Sequence, residues 1–430
     1  MTWDAVVVGG GIAGLVAARE LVHQGLRTLV LEGRDAPGGA VRGHTVAGLR
    51  LDAGAESYAT RGGTVTALLD ELGLTDRVRT PEPHGSWVHL PHGDGPLPRT
   101  GLLGIPADPW AADVRRTLGP LGALRASLDL VLPPSSADTL GDLVRRRMGA
   151  RVLDRLVRPV VGGVHAADPD DLAIDAVSPG LPDALRRERG SLSRAVKSLR
   201  ASAPAGSAVQ GIDGGLHVLV DALVADIEAH GGTVRTHATV TSLDDEHTDR
   251  WVLATPSAVD LLGLSVGSPD PGAQVTLVTL VLDAPALDAA PRGTGVLVAR
   301  EATDVTAKAL THGTAKWAWL ARAAGPGRHV VRLSYGRAGV DAPEPDVDLA
   351  LRDAATLLGT PLTRDQLVGQ ATVRWTQALP RPSAEHAQVV ADVRAAVDAL
   401  PGVAVCGAWV AGNGLASVIP DARAAALSVI

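Results

Sequence analysis

The stretch DAVVVGGGIAGLVAARELVHQGLRTLVLE, residues 4–32, decides the fold. Asp4 to Val8 is a short run of β-branched residues and reads as a buried strand. Glycines follow, then apolar residues at helical spacing to about His23, then a second apolar run from Arg27 to Leu31. The expectation is a strand–helix–strand unit with parallel strands. Gly9, Gly11 and Gly14 form a GxGxxG that ends the strand and opens the helix. Without side chains at those positions, the backbone of Gly9, Gly10, Gly11, Ile12, Ala13 and Gly14 can approach a pyrophosphate, whose charge the helix N-terminus favours. Glu32 ends the second strand about 20 residues on, where a carboxylate accepts both hydroxyls of an adenosine ribose. These features point to a dinucleotide site and leave FAD and NAD both open.

Working outward, the 430 residues exceed one comfortable core, so two or three domains are expected. With 46% hydrophobic and 20% charged residues, the chain has an ordinary globular composition. The net charge of -7 and the scattered arginines give no electrostatic footprint for nucleic acid. Cys406, the single cysteine, rules out an intrachain disulfide, a CxxC redox pair and a metal-ligating cysteine pair. Met1 runs straight into the strand pattern with no charged-then-apolar leader, and no run of about 18 apolar residues occurs. A cytoplasmic protein is therefore expected, with peripheral membrane contact left open. Phenylalanine is absent and only Tyr58 and Tyr335 are tyrosines, so Leu, Val and Trp must fill the core and any apolar pocket.

Residues 81–109 are rich in Pro, Gly and His and read as loops and short strands. From about Ala111 to Leu199 the spacing is helical, with Pro133-Pro134 and the segment from Pro159 to Asp171 as interruptions. Gly214-Gly215 opens a further helix, Leu216 to His230, before strands over residues 233–241 and 251–254. A β-rich region follows, with strands at residues 274–282, 295–298, 308–320 and 329–334. Val403 to Cys406, a glycine loop and a helix from about Leu415 close the chain. His44, His165, His312 and His386 read as isolated loop or surface residues, none of which forms an HxxxH or comparable metal-binding constellation.

After Glu32 comes GRDAPGGAVR, residues 33–42, and then DAGAES, residues 52–57. Acidic residue, second glycine pair and second glycine turn together resemble the flavin amine oxidase superfamily. The resemblance implies FAD, lined by Gly33, Arg34, Gly38, Gly39, Ala40, Gly54, Ala55, Glu56 and Ser57. Arg34 and Arg42 read as either surface charges or pyrophosphate partners. Five later segments narrow the likeness: LPRTGLLGIP (97–106), RPVVGGVHAADP (158–169), IDGGL (212–216), KALT with KW (308–311, 316–317) and RW with ALP (374–375, 378–380). In this order they resemble the oxygen-dependent coproporphyrinogen III and protoporphyrinogen IX oxidases, over nearly the whole chain.

That resemblance implies an α/β protein: an FAD-binding Rossmann-like domain (1–75, 205–262, 366–430), a mixed α+β substrate domain (76–110, 263–365) and a helical insert (111–204). It places Val240 by the adenine, Trp375 near the flavin, and Gly412, Asn413, Gly414 and Leu415 at the pyrimidine end of the ring. A helix starting there would aim its positive end at flavin N1 and the C2 carbonyl, where the reduced ring is negative. The implied reaction oxidises a porphyrinogen, with coproporphyrinogen III ahead of protoporphyrinogen IX, passing hydride to flavin N5 and using O2 to reoxidise the flavin. No catalytic base is assigned, and transient contact with other haem-pathway enzymes is an expected partnership. Departures are visible too. Leu103 stands where animal and plant members carry a propionate-binding arginine, so Arg61 or Arg99 becomes the substitute, each equally readable as a solvated surface charge. With Lys316 and Trp317, these are the candidate substrate residues. A rival reading is a flavin-fold carrier that binds porphyrin without turnover; an amine oxidase would need an aromatic cage that two tyrosines hardly provide.

Overall fold

The computed structural model describes residues 2–165, 168–174, 178, 180–202, 209–269, 272, 274–337, 344–376 and 384–430. The chain divides into two compact units, one of Met1–Pro81, Ser207–Gly272 and Trp375–Ile430, the other of Glu82–Gly206 and Ala273–Arg374.

In the first unit, Ala5–Val8 is the centre of a five-stranded sheet. Thr28–Leu31 and Thr233–Arg235 lie to one side of it and Trp251–Leu253 and Val403–Val405 to the other, every neighbouring pair parallel. Parallel strands need covered faces. The helices Ile12–His23, Val218–Ala229 and Leu415–Ser428 bury Leu15, Leu21, Leu219, Leu223 and Ile419 in one core, while Val6, Leu29, Trp251 and Val393 belong to another. A tight hairpin joins Gly43–Val46 to Leu49–Asp52, with Ala47 and Gly48 both at positive φ, as a two-residue turn that follows strand twist requires.

The second unit carries a mixed seven-stranded sheet in the order Leu367–Trp375, Val275–Asp283, Arg328–Tyr335, Ala309–His312, Gly295–Val298, Trp87–Leu90 and Gly93–Pro96. Residues 105–199 form a helical core of their own around Leu118, Leu143, Leu153 and Leu156. Inside it, Asp129 is fully buried and paired with Arg147 at 2.8 Å. Among the described residues no helix is long and apolar enough to cross a membrane.

Three local readings are corrected. The strand expected over residues 308–320 ends at His312; Gly313–Lys316 and Ala318–Ala324 are helical, which turns both Trp317 and Leu320 into the interior. The strand expected over 233–241 stops at Arg235, because the amides of His237 and Ala238 bond to Arg34 O and Glu32 O and His237 adopts a φ of 53°. The interruption expected from Pro159 to Asp171 begins instead as helix, Arg158–His165, and Pro159 is accommodated there by the π-helical turn Leu153–Val157 that runs directly into it.

Candidate functional site

The glycine loop is packed so tightly that its sequence is dictated by sterics. A Cβ on Gly14 would lie 1.9 Å from Gly9 O, and one on Gly9, whose φ is +101°, would lie 2.9 Å from Ala254 O. Gly11 is different. Its φ is -68°, it caps the helix without any side-chain hydrogen bond, and a Cβ there would meet nothing within 4 Å. The open space over Gly11 and the uncapped helix start, through Ile12 and Ala13, fit a pyrophosphate.

Glu32 is nearly buried, and its two oxygens accept from the amides of Gly10 at 2.8 Å and Arg34 at 2.9 Å. The carboxylate thus shapes the loop, with acceptor capacity left for ribose hydroxyls. Gly38 donates its N–H to Gly10 O at 2.7 Å, and a Cβ on Gly39 would sit 3.3 Å from Gly11 Cα, so the second glycine pair closes on the first. Gly33 lies against Thr239 and half-buried Val240 follows it. Gly54 packs on Ala40, where a Cβ would be 2.1 Å from the carbonyl oxygen, and Ala55 bonds the same oxygen at 2.8 Å. Glu56 and Ser57 follow, half-buried, in the same loop. Trp375 joins this group: its indole N–H donates to Ala53 O at 3.1 Å, and the guanidinium carbons of Arg34 and Arg42 lie 5.9 and 5.3 Å from its ring centroid. Arg42 also reaches Asp35. At the other end of the chain, Gly412, Asn413 and Gly414 are exposed and lead into Leu415–Ser428, a helix with no side-chain cap.

One partnership escaped the sequence reading. Asp52 accepts from the amides of Leu216 and His217 and pairs with the His217 ring at 2.8 Å, which pins the Gly214-Gly215 turn to the hairpin. Two glycines at positive φ after Asp213 were its only trace.

Of the expected substrate residues, Arg61 belongs to the first unit and Arg99, Leu103, Lys316 and Trp317 to the second. Arg61 and Arg99 are exposed, and the Arg99 amide bonds Asp113. Leu103, at a φ of 53°, packs on the helical core. Lys316 lies 5.1 Å from the ring centroid of buried Trp317. Ala378, Leu379 and Pro380 lie outside the described residues, as do Ala166 and Ala167. In the second unit a cavity of about 470 Å³ is lined by Arg116, Arg155, Arg158 and Arg300 together with Asp94, Asp154 and Glu301. Arg158 pairs with Asp168 and Asp170, and Arg116 lies 4.9 Å from the Trp87 ring centroid.

His312 is not isolated. It is fully buried, 3.0 Å from His329, which contacts Thr314 and Asp288 at 3.0 and 2.9 Å. Burial first, and His329 second, drive its pKa down to about 3, so it stays neutral. Burial likewise pulls Lys308 down to about 8, with Arg337 adding repulsion.

Comparison with known proteins places this geometry. A family model described as flavin containing amine oxidoreductase matches residues 12–260, more than half of the chain. The chain belongs to that family. A flavin cofactor goes with that family. Within curated relatives, coproporphyrinogen III oxidase of Mycobacterium tuberculosis is 30% identical, covering 99% of this chain and 96% of its own. The chloroplastic protoporphyrinogen oxidase of Oryza sativa is also 30% identical, over 60% of this chain and 50% of its own. A solved structure from Exiguobacterium sp. 255-15, provisionally a protoporphyrinogen oxidase, superimposes with a TM-score of 0.83 at 24% identity, covering 99% of this chain and 98% of that one. The porphyrinogen-oxidase likeness read from the five short segments thus extends through the whole chain.

Proposed function

We propose that the protein is an FAD-dependent oxidase that converts coproporphyrinogen III to coproporphyrin III in haem biosynthesis. The carrying observation is the cradle itself: an open, uncapped helix start at Gly11, Glu32 bonded to the loop amide of Gly10 and a second glycine pair locked onto the first, in a chain similar end to end to coproporphyrinogen III oxidases. In this reading the first unit holds the cofactor and the second, including its helical region, receives the substrate. Glu32 holds the adenosine half, Gly10 to Ala13 the pyrophosphate, and Trp375 with Gly412 to Leu415 the ring end. When bound, the flavin supplies two-electron acceptance, and O2 takes those electrons to leave one H2O2 for each pair removed.

The chain's own task is placement and polarity. The uncapped helix Leu415–Ser428 offers positive potential where the ring becomes anionic. The glycine contacts leave no slack for the loop to wander. The coproporphyrinogen reading rests on the full-length likeness to coproporphyrinogen III oxidases; the cavity of the second unit sets four arginines beside three carboxylates, one net positive charge. The likeness to the rice enzyme supports protoporphyrinogen IX as the second reading.

The test is to purify the protein, record its flavin spectrum, and follow porphyrin fluorescence and peroxide with each porphyrinogen. Faster oxidation of coproporphyrinogen with peroxide release is expected. A yellow protein that releases no peroxide is a carrier, faster turnover of protoporphyrinogen selects the second substrate, and folded protein that takes up no flavin ends both readings.

A further inference from the structure

Away from the cradle, the far ends of two of its helices converge. Ile12–His23 follows the first glycine loop and ends on His23; Val218–Ala229 follows the Gly214-Gly215 turn and is capped by His230. Asp226, one turn before His230, lies between the two imidazoles. His23 Nε2 is 2.8 Å from Asp226 Oδ2, His230 Nδ1 is 2.8 Å from the Asp226 backbone carbonyl and 3.4 Å from Asp226 Oδ1, and the ring centroids are 4.2 Å apart. One donor atom from each residue lies within 4.8 Å of the other two.

We propose that His23, Asp226 and His230 bind a divalent transition-metal ion of the Zn²⁺ class. Ligand bonds of about 2.0–2.1 Å in a tetrahedron separate neighbouring donors by about 3.3 Å. The two distances from Asp226 lie on either side of that edge; release of His230 Nδ1 from the Asp226 carbonyl and small side-chain rotations form the site, and a solvent molecule completes the fourth position. Two imidazole nitrogens and one carboxylate oxygen suit Zn²⁺, Co²⁺ or Ni²⁺ and do not suit the all-oxygen preference of Mg²⁺ or Ca²⁺.

Charge supports the assignment independently of the donor spacing. Arg19 holds Asp226 at 2.7 Å and Glu71 at 2.6 Å, and Arg423 pairs with Glu20 and Glu71. Two arginines face three carboxylates, so with neutral imidazoles the cluster keeps one net negative charge. Both helices also end here, and their C-terminal carbonyls favour a cation. The Arg19 contact fixes the orientation of the Asp226 carboxylate, as outer partners of metal ligands do. His23, Asp226 and His230 all remain partly exposed, which gives the ion a path in. A bound ion would clip together the two helices whose opposite ends carry the cradle's glycine turns.

The experiment uses the full-length, flavin-loaded protein, stripped with a chelator. Zn²⁺ is titrated by calorimetry, and Co²⁺ is read by its four-coordinate absorption beyond the flavin band. One equivalent is expected to bind and to raise the melting temperature by a few degrees. His23→Ala and His230→Ala should each weaken binding at least tenfold and abolish the shift, whereas His247→Ala, at another surface histidine, should change neither. Melting curves in chelator establish that the variants are folded. No uptake by the unsubstituted protein, or a loss below tenfold in the two variants, overturns the proposal, and neither result bears on the flavin reaction.

Discussion

Around Gly14 in the first unit, backbone meets backbone, and a single added carbon would fall 1.9 Å from a carbonyl oxygen. Around Asp129 in the second unit, the order comes from charge: a fully buried carboxylate accepts from the amides of Leu192 and Ser193, both serine hydroxyls at 191 and 193, and the guanidinium of Arg147. Sterics of the first kind leave a mark in sequence because only glycine fits. Electrostatics of the second kind leave almost none, since one aspartate among many looks the same until its partners are assembled. The two regions should also fail differently.

Gly14→Ala should have the largest effect, on the order of 5 kcal/mol of lost stability, because the clash is with main chain that cannot rotate away. Gly11→Ala sharpens the point. Its φ and empty surroundings admit a side chain, so the melting temperature should stay within the change produced by about 0.5 kcal/mol while flavin retention falls. Equal loss of stability in both variants would remove the distinction between a glycine that packs and one that leaves room for a ligand. In the second unit, Asp129→Ala strands the Arg147 charge in the interior and should cost about 3–4 kcal/mol by urea denaturation. A cost below about 1 kcal/mol would mean that water reaches the pair. Glu32→Ala lies between the two kinds: it deletes the acceptor for two loop amides, so about 2 kcal/mol and much of the flavin affinity should go together. Flavin binding unchanged in that variant would separate Glu32 from the ribose.

The same contrast explains how much of the protein could be read beforehand. The strand–glycine–helix–strand order of residues 4–32 was legible because periodicity and steric need coincide there, and the family likeness follows from further glycine pairs of the same sort. The strand expected over 308–320 failed because Thr314, Ala315 and Trp317 alternate plausibly as a strand while Gly313 lets the chain turn into a helix. Partnerships between distant side chains were invisible in principle. His312 with His329, Asp52 with His217, and His23 with Asp226 carry no spacing rule, because the fold and not the sequence brings them together; only Asp226 and His230, four apart on one helix, do. The arginines of the second unit's cavity make the same point: the four that share it are separated by up to 184 positions, from Arg116 to Arg300.

Lys308 tests whether buried charge in the second unit costs stability where no counter-ion is found among the described residues. Burial first, then repulsion from Arg337, lowers its pKa from 10.5 to about 8. The folded protein therefore holds fewer protons at this site than the unfolded chain between about pH 8 and 10.5, so stability rises with pH through that window, and the full penalty applies below it. Replacing the charge with a similar apolar stem, Lys308→Met, should stabilise the protein by about 1–2 kcal/mol at pH 7, and the gain should shrink towards zero near pH 10. Denaturation midpoints at the two pH values measure it. A variant that is less stable than the parent at pH 7 would show that the ammonium is compensated by an anion bound in that part of the sheet, and would bring the second unit's charge closer in kind to the satisfied pair at Asp129.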